Sequence, residues 1–198
     1  MTLESDWGST DSWIFPLLEV FFNNKIYAPK IGTALDIGSD FGQNSKYLAN
    51  KWYTVDAIHD SWLMQTTRKY HPKIDFIVSE ISADKFSTAA KNLPTKQYDI
   101  IINPYLMVRK NKDFSTELIV SAIEHLKKEW YLLFELFSSD TSKWGDSYKN
   151  VRWAPNELQE VLAKRISGVD ILQEKIRTSM MRSGWENKFL DVVIQKVV

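Results

Sequence analysis

The strongest constraint on the fold is a regular alternation of short apolar runs with amphipathic stretches. Apolar runs of this length predict buried strands, at 33–37, 53–58, 74–78, 98–102 and 130–137. Amphipathic segments predict helices between them, at 42–51, 61–70, 84–92 and 114–128. Strands that alternate with helices are typical of a parallel sheet whose two faces are both covered by helices.

The two ends of the chain depart from this alternation. An apolar stripe from Trp13 to Phe22 predicts a first helix, with Pro16 tolerated in its first turn. After a polar loop at 138–153, a helix is predicted over 155–165. Two last strands are predicted at 169–172 and 189–197, and the short connection over 173–188 favours an antiparallel pair at the sheet edge.

Together these elements predict a single α/β domain. Its sheet is mostly parallel and seven-stranded, with an antiparallel edge strand and with helices on both faces. Residues 1–30 are expected to form an N-terminal helical arm packed on the domain that residues 31–198 make.

Composition excludes several classes of protein. The chain has 198 residues and no cysteine, which excludes a disulfide scaffold, a Cys-ligated zinc site and a Cys nucleophile. Its 25 Lys and Arg balance 25 Asp and Glu, and a general nucleic-acid binder usually has a basic surplus. The three histidines are too scattered for a metal site, and no signal-peptide or membrane-span pattern is present. We therefore expect a cytoplasmic protein without a bound metal.

The most informative segment runs from 34 to 49, where a predicted strand leads through a glycine turn into a helix. Gly38 and Gly42 bracket the turn, and glycine lets a backbone approach a ligand closely. The turn lacks the Gly-Lys-Ser/Thr ending of a phosphate loop. It is also a poor dinucleotide fingerprint, because Asp40 stands where a second glycine belongs.

The run Leu-Asp-Ile-Gly-x-x-x-Gly-x-Asn-Ser-x-Tyr-Leu-Ala resembles the first motif of class I S-adenosylmethionine (SAM)-dependent methyltransferases. Its Asn-Ser and Tyr-Leu-Ala continuation is most similar to the tellurite-resistance-type branch, which modifies small molecules. Weaker likenesses follow in the family's order at 77–81, 131–138, 154–158 and 168–172, so the resemblance covers about residues 30 to 198. It implies a Rossmann-like methyltransferase domain with SAM as its cofactor.

The resemblance also implies a cofactor site. Asp36 and Gly38 would lie under the methionine part of SAM, an acid after the second strand would hold the ribose, and Glu80 with Ile81 would read the adenine. The full set of residues expected to contact the cofactor is Asp36, Gly38, Ser39, Asp40, Gly42, Asn44, His59, Asp60, Glu80, Ile81 and Asn103.

Two positions depart from the family pattern. Asp40 replaces a glycine, and its side chain either crowds the cofactor or caps the next helix. His59 stands where the ribose acid is expected; its ring can bond a hydroxyl, and Asp60 could act in its place. Asp56 is a further alternative, either as the ribose acid or as an inward polar residue of its strand, and spacing does not decide.

Candidate catalytic residues follow the fourth and fifth strands. Asn103-Pro104-Tyr105 faintly resembles the Asn-Pro-Pro-Tyr motif of enzymes that methylate amide or exocyclic amino nitrogens, although a strand-ending turn is the simpler interpretation. Glu135 could be a general base or could merely face solvent. In the loop over 138–153, Trp144 and Tyr148 could belong to a lid, whereas Trp153 either joins it or packs under the following helix.

The sequence therefore predicts a SAM-dependent methyltransferase that acts on a small-molecule acceptor by in-line transfer, with Tyr105 and Glu135 as its catalytic candidates. Two alternatives remain open at this stage. One is a methyltransferase-fold protein with a degenerate cofactor site that serves as a binding module. The other is an RNA or amide-nitrogen methyltransferase, although the balanced charge makes nucleic acid the less favoured partner.

Overall fold

The computed structural model describes residues 16–24, 31–39, 42–59, 74–78, 95, 97–104, 111–139, 152–180 and 186–198. The helices in this part of the chain are α1 Pro16–Asn23, α2 Gln43–Asn50, α3 Lys112–Glu124 and α4 Glu157–Ala163. The strands are β1 Gly32–Ile37, β2 Tyr53–His59, β3 Asp75–Val78, β4 Tyr98–Asn103, β5 Leu126–Ser138, β6 Arg152–Trp153, β7 Val169–Met180 and β8 Glu186–Lys196. None of these helices has the length and apolar character needed to cross a membrane.

The strands form one sheet in the order β3-β2-β1-β4-β5-β8-β7. Strands β1 to β5 run parallel, and β8 runs antiparallel to both of its neighbours, β5 and β7. The predicted mostly parallel seven-stranded sheet with an antiparallel pair at its edge is therefore confirmed. The two-residue β6, which pairs with the end of β5, adds a short strand that the sequence did not predict.

Apolar clusters cover the two faces of the sheet, because successive side chains of a strand point to opposite sides. On one face, Leu35 and Ile37 of β1 pack with α3 and α4. On the other, Ala34 packs with α1 and α2, and Leu17, Leu18 and Phe21 of α1 are buried. The predicted helices over 61–70 and 84–92 lie outside the described residues, and the division into an arm of 1–30 and a domain of 31–198 stays a prediction.

The helix predicted over 114–128 ends earlier than expected. Helix α3 stops at Glu124, His125 caps its end, and β5 begins at Leu126. The chain turns here because the Tyr98 N–H donates to the His125 carbonyl and so draws this segment to β4. Lys127, which falls within the helix predicted over 114–128, is instead a strand residue whose Nζ lies 2.9 Å from Asp99 Oδ2.

The last two strands are much longer than predicted. Strand β7 has 12 residues and β8 has 11, and they pair as one antiparallel hairpin with only 181–185 between them. Residues 173–180 and 186–188, which the sequence analysis placed in the connection, belong to these strands, so the predicted strand bounds of 169–172 and 189–197 are too short. Polar residues from Gln173 to Lys175 concealed the strand, because backbone pairing rather than an apolar pattern holds this edge of the sheet.

Candidate functional site

The sheet order has a switch point at the carboxyl end of β1. From β1 the chain continues into β2 on one side, whereas β4 pairs on the other side. In open α/β sheets, ligands bind at such a switch point, outside the carboxyl ends of the strands. Gly38 follows β1 there, and Asn103 is the last residue of β4.

The glycine turn after β1 depends on the two glycines that bracket it. Gly38 has φ 79° and Gly42 has φ 78°, in the left-handed region that side chains with a Cβ disfavour. The N–H groups of Gly38 and Ser39 donate to the Ile58 carbonyl at 2.9 and 3.2 Å, which ties the turn to β2. The N–H of Gly42 donates to the Ser39 carbonyl at 2.7 Å and closes the turn.

Among the described residues, no side chain caps the start of helix α2. Its N-cap residue is Gly42, which has no side chain to offer to the N–H groups of the first turn. Gly42, and not Asp40, therefore takes the N-cap position. The Asp40 side chain lies outside the described residues, so its suggested capping role stays a prediction. A helix start that lacks a cap leaves backbone N–H groups for another acceptor.

Asp36 is fully buried on the α2 side of the sheet. The Ser45 hydroxyl of α2 donates to Asp36 Oδ2 at 2.6 Å, so the motif's aspartate and serine hold the strand and helix together around the turn. Asn44 is also buried at the start of α2. The Asp-Ile-Gly and Asn-Ser parts of the motif thus meet in space.

Two further predicted residues are buried at the same edge. Ser39 and Asn103 are 2% and 0% exposed. Within the described part of the chain, the Ser39 hydroxyl and both polar atoms of the Asn103 amide have no hydrogen-bond partner. Buried polar groups are nearly always hydrogen-bonded. We therefore expect these atoms to pair with a ligand, with water or with a residue outside the described part of the chain.

Of the three candidates for the ribose contact, the structure describes the side chain of Asp56. Asp56 is buried within β2, where its Oδ2 accepts from the Tyr98 hydroxyl at 2.6 Å and from the Thr95 N–H at 3.3 Å. This bond and burial raise the pKa of Tyr98, and they make Asp56 an inward structural residue. His59 ends β2 at the carboxyl edge, but its side chain lies outside what the structure describes. Other predicted positions outside the described residues are Asp60, Glu80, Ile81 and Tyr105.

Glu135 does not face solvent; it belongs to a buried charged cluster. Its side chain is 0% exposed, and one oxygen accepts from Arg177 Nη2. Arg177 Nε donates to Asp191 Oδ2 at 2.9 Å, and Asp191 lies directly opposite Glu135 across the β5–β8 ladder. We refer to Glu135, Asp191 and Arg177 as the acid–arginine cluster.

Burial raises the pKa values of both acids in the cluster. For Glu135, loss of solvent outweighs attraction to Arg177, and the Asp191 charge adds to the increase, which brings the pKa to about 8. For Asp191, burial raises the pKa more than Arg177 lowers it. The sequence missed Arg177 and Asp191, and the alternation of charged and apolar residues over Lys175, Ile176 and Arg177 is a weak signal of a strand there.

The raised pKa of Glu135 predicts a pH-dependent stability. Because its pKa rises from 4.5 to about 8 on folding, the folded state holds more protons between these values. The contribution of Glu135 therefore lowers the free energy of unfolding progressively as pH rises from about 5 to 8. We expect Glu135→Gln to gain stability relative to wild type across this range, as measured by urea unfolding at pH 5, 6, 7 and 8. Glu117→Gln, at a half-exposed position, serves as control, and a constant difference for Glu135→Gln would contradict the prediction.

Trp153 belongs to the core, as one of the two sequence interpretations proposed. It is 0% exposed and packs in the same cluster as Leu158 and Leu162 of α4. Lys112 Nζ lies 5.3 Å from the centre of its ring. Trp144 and Tyr148 lie outside the described residues.

Comparison with known proteins identifies the fold. No family model matches the chain, and no curated protein matches it. Among solved structures, TehB from Haemophilus influenzae superposes with a TM-score of 0.66 at 21% identity, covering 90% of this chain and 61% of TehB. This chain therefore spans less than two thirds of TehB.

Two other structures match over most of their own length. A SAM-dependent methyltransferase from Methanosarcina mazei has a TM-score of 0.67 at 15% identity, covering 93% of this chain and 99% of that one. The 1,6-didemethyltoxoflavin-N1-methyltransferase of Burkholderia thailandensis, solved with bound 1,6-didemethyltoxoflavin and S-adenosylhomocysteine, has a TM-score of 0.65 at 12% identity, covering 92% of this chain and 77% of that one. The chain therefore has the single-domain α/β fold that these methyltransferases share.

Proposed function

We propose that the chain is a SAM-dependent methyltransferase that acts on a small-molecule acceptor. The observation that carries this proposal is the turn between β1 and α2, where two left-handed glycines, an uncapped helix start and the buried Ser39 hydroxyl meet at the switch point of the sheet. The fold similarity to solved methyltransferases supports it, and one of them was solved with S-adenosylhomocysteine bound.

The residues at the turn fit the chemistry of SAM. SAM carries an amine, a carboxylate, a sulfonium and a ribose diol, so it needs both acceptors and donors. Hydrogen-bond donors come from the Ser39 hydroxyl, the Asn103 amide and the N–H groups at the uncapped start of α2. The buried carboxylate of Asp36 places negative charge beneath the turn, where a cationic ligand group is favoured.

Other contacts are proposed from the family resemblance. The ribose would be held by His59 or Asp60, since Asp56 is engaged with Tyr98 inside the sheet. Glu80 and Ile81 would read the adenine edge, and Asp40 and Asn44 would border the methionine part. Tyr105, after β4, would contact the acceptor.

When bound, SAM supplies an electrophilic methyl group on its sulfonium. The chain's own task is then to hold an acceptor in line with that methyl group, because orientation alone accounts for much of the rate in such transfers. The carboxyl ends of β1 and β4 would orient the cofactor, and the end of β5 would border the acceptor. Where it is ionised, above its pKa of about 8, Glu135 would take up a proton from the acceptor at its Oε1 atom.

The proposal is tested by calorimetric titration with SAM and with S-adenosylhomocysteine. We expect both to bind with Kd values in the micromolar range, about 8 kcal/mol of binding free energy. Bound ligand should also raise the melting temperature. An absence of binding at millimolar ligand would contradict the enzyme and favour the alternative of a binding module with a degenerate cofactor site.

A matched pair of glycine variants shows whether binding depends on the turn. Gly38→Ala and Gly168→Ala both force alanine into a left-handed conformation, with φ 79° and 76°, at a strain of about 1–2 kcal/mol. Gly168 lies at the start of β7, against the chain end at Val198. We expect only Gly38→Ala to weaken S-adenosylhomocysteine binding, by about tenfold or more, although both variants should lose stability.

A further inference from the structure

The acid–arginine cluster sets two acids against one cation. Arg177 Nε donates to Asp191 Oδ2 at 2.9 Å, and Arg177 Nη2 donates to Glu135, whose side chain is 0% exposed. Burial holds the pKa of Glu135 at about 8, so this side chain carries a proton in most molecules at pH 7. Arg177 then balances Asp191, and the cluster gains a net negative charge when Glu135 gives up its proton.

One oxygen of Glu135 is available for that proton. Among the described residues, Glu135 Oε1 has no hydrogen-bond partner, whereas the other oxygen accepts from Arg177. Glu135 can therefore gain or lose a proton at Oε1 without breaking a hydrogen bond to a described side chain. A buried acid of this kind responds to a new charge nearby, because little solvent screens the interaction.

The cluster lies near the turn that follows β1. Asp36 pairs with Ile102, and Ile102 pairs with Leu133, so Glu135 lies two strands across and two residues further toward the carboxyl edge, on the same face. With ordinary strand spacing and rise, the Cα atoms of Asp36 and Glu135 are roughly 12 Å apart. Strand β4 lies between β1 and β5, so a ligand held over the ends of β1 and β4 comes within roughly 10 Å of Glu135.

The neighbouring strands and α1 bring other charged side chains to this face. They are Arg177 and Lys175 of β7, Asp191 of β8, Arg152 of β6, Asp36 of β1 and Glu19 of α1. Lys175 and Glu19 are exposed, so solvent screens both of them. Asp36 and Asp191 are the other buried acids, and a proton released by Glu135 has to be told apart from one released by these two.

We propose that Glu135 gives up a proton when SAM binds and keeps it when S-adenosylhomocysteine binds, so that the acid–arginine cluster distinguishes the charged sulfonium from the neutral thioether. This inference rests on the proposed function, because it takes the turn after β1 as the SAM site.

The size of the effect follows from the distance. A positive charge favours the ionised form of a nearby carboxyl group, and at roughly 10 Å in a partly buried setting it weakens proton binding about tenfold. Because the pKa of Glu135 is about 8 without a ligand, SAM binding at pH 7.5 should then release about half a proton from this side chain. S-adenosylhomocysteine has no charge on its sulfur and should release none from Glu135.

Two consequences follow for the proposed enzyme. Because binding releases a proton, the affinity for SAM should rise with pH, by about fourfold between pH 6.5 and pH 8. The affinity for S-adenosylhomocysteine should lack this contribution from Glu135. With SAM bound, Glu135 is also mostly ionised near neutral pH, which is the form that can accept a proton from an acceptor.

The test is calorimetric titration at pH 7.5 in phosphate and in Tris, two buffers whose heats of protonation differ. The difference in measured heat between the buffers gives the number of protons released on binding. An α-amino group has a pKa of about 8, so the amine of either ligand can itself release a proton. We therefore compare wild type with Glu135→Gln, which removes the Glu135 contribution and leaves that of the ligand amine.

For wild type, we expect SAM to release about half a proton more than it does from Glu135→Gln, and S-adenosylhomocysteine to show no such difference. Asp191→Asn should release less than wild type, because the Asp191 charge raises the pKa of Glu135 and its removal leaves Glu135 ionised in more of the free protein. Glu117→Gln removes an exposed carboxylate of α3 and should match wild type. Melting curves confirm that each variant is folded.

The outcomes separate this inference from the proposed function. If SAM and S-adenosylhomocysteine both bind and wild type and Glu135→Gln release equal numbers of protons with SAM, the role of Glu135 is overturned and the methyltransferase proposal stands. The same holds if Glu135 releases as much with S-adenosylhomocysteine as with SAM. If neither ligand binds, the methyltransferase proposal fails and this inference fails with it.

Discussion

Arg177→Met is expected to lower the free energy of unfolding by about 3–5 kcal/mol at pH 8, because it leaves two buried carboxyl groups without their shared cation. Glu135 is 0% exposed, and Asp191 lies opposite it on the neighbouring strand. Methionine keeps most of the length and apolar contact of the arginine stem, so the loss reports on the charge. Urea unfolding of the variant and of wild type measures the difference.

The loss in Arg177→Met should be smaller at pH 5 than at pH 8. Without the arginine, the folded-state pKa of Glu135 rises further above its unfolded value, so stability is lost as pH rises through this interval. The matched control is Arg165→Met, which breaks the bond of Arg165 to Glu117 where both side chains are about half exposed. That surface pair should contribute about 1 kcal/mol or less.

A second control removes the charges together. The triple variant Glu135→Gln, Arg177→Met, Asp191→Asn should recover part of the stability that Arg177→Met loses, since no buried charge is then left unpaired. If Arg177→Met costs no more than Arg165→Met, the cluster is more hydrated than its burial indicates and the prediction is wrong.

Trp153→Ala is expected to destabilise the protein by a similar amount, about 3–5 kcal/mol, because it empties a large site in the core. Trp153 is 0% exposed and belongs to the cluster that joins the sheet to α3 and α4. A lid residue would instead affect ligand binding and leave stability nearly unchanged. Thermal and urea unfolding, together with the S-adenosylhomocysteine titration, distinguish the two roles.

Trp52→Ala is the matched control for this substitution. Trp52 is 78% exposed at the turn before β2, so its removal should change stability by about 0.5 kcal/mol or less. A cost below about 1 kcal/mol for Trp153→Ala would contradict its core position. The larger loss of stability is expected for Trp153→Ala because the surrounding apolar side chains only partly fill the volume that tryptophan leaves.

The glycine turn was predictable because its signal is local. An apolar strand, a glycine at each end of the turn and an amphipathic helix follow one another within 34–49, and the structure places Gly38 and Gly42 in the left-handed conformation that glycine favours. Asp40 was harder to interpret, because a capping preference does not say which residue of a turn takes the cap position. The structure gives that position to Gly42.

The end of α3 shows how tertiary contacts override a local pattern. Leu126 continues the apolar stripe of the helix, which is why the predicted helix ran on to 128. In the structure Leu126 pairs with Tyr98, and Lys127 binds Asp99 of the same neighbouring strand. Strand pairing and an ion pair with β4 therefore decided where the helix stops.

The acid–arginine cluster depends on one irregularity in β7. The pairing shifts between Ile171 and Gln173, so Leu172 is an extra residue in the ladder. This bulge lets Ile171 and Ile176, five residues apart, both pack on the α3 face of the sheet. It consequently turns Arg177 to the opposite face, where it reaches Glu135.

Patterns a few residues long were enough to predict the order of the longer described strands and helices, the antiparallel pair at the sheet edge and the glycine turn after β1. Only the tertiary structure decided that Asp56 lies inward, that Trp153 is core and that Glu135 meets Arg177 across 42 residues. The reason is that a one-residue shift in strand register exchanges the two faces of a strand, and register is set by pairing between distant segments.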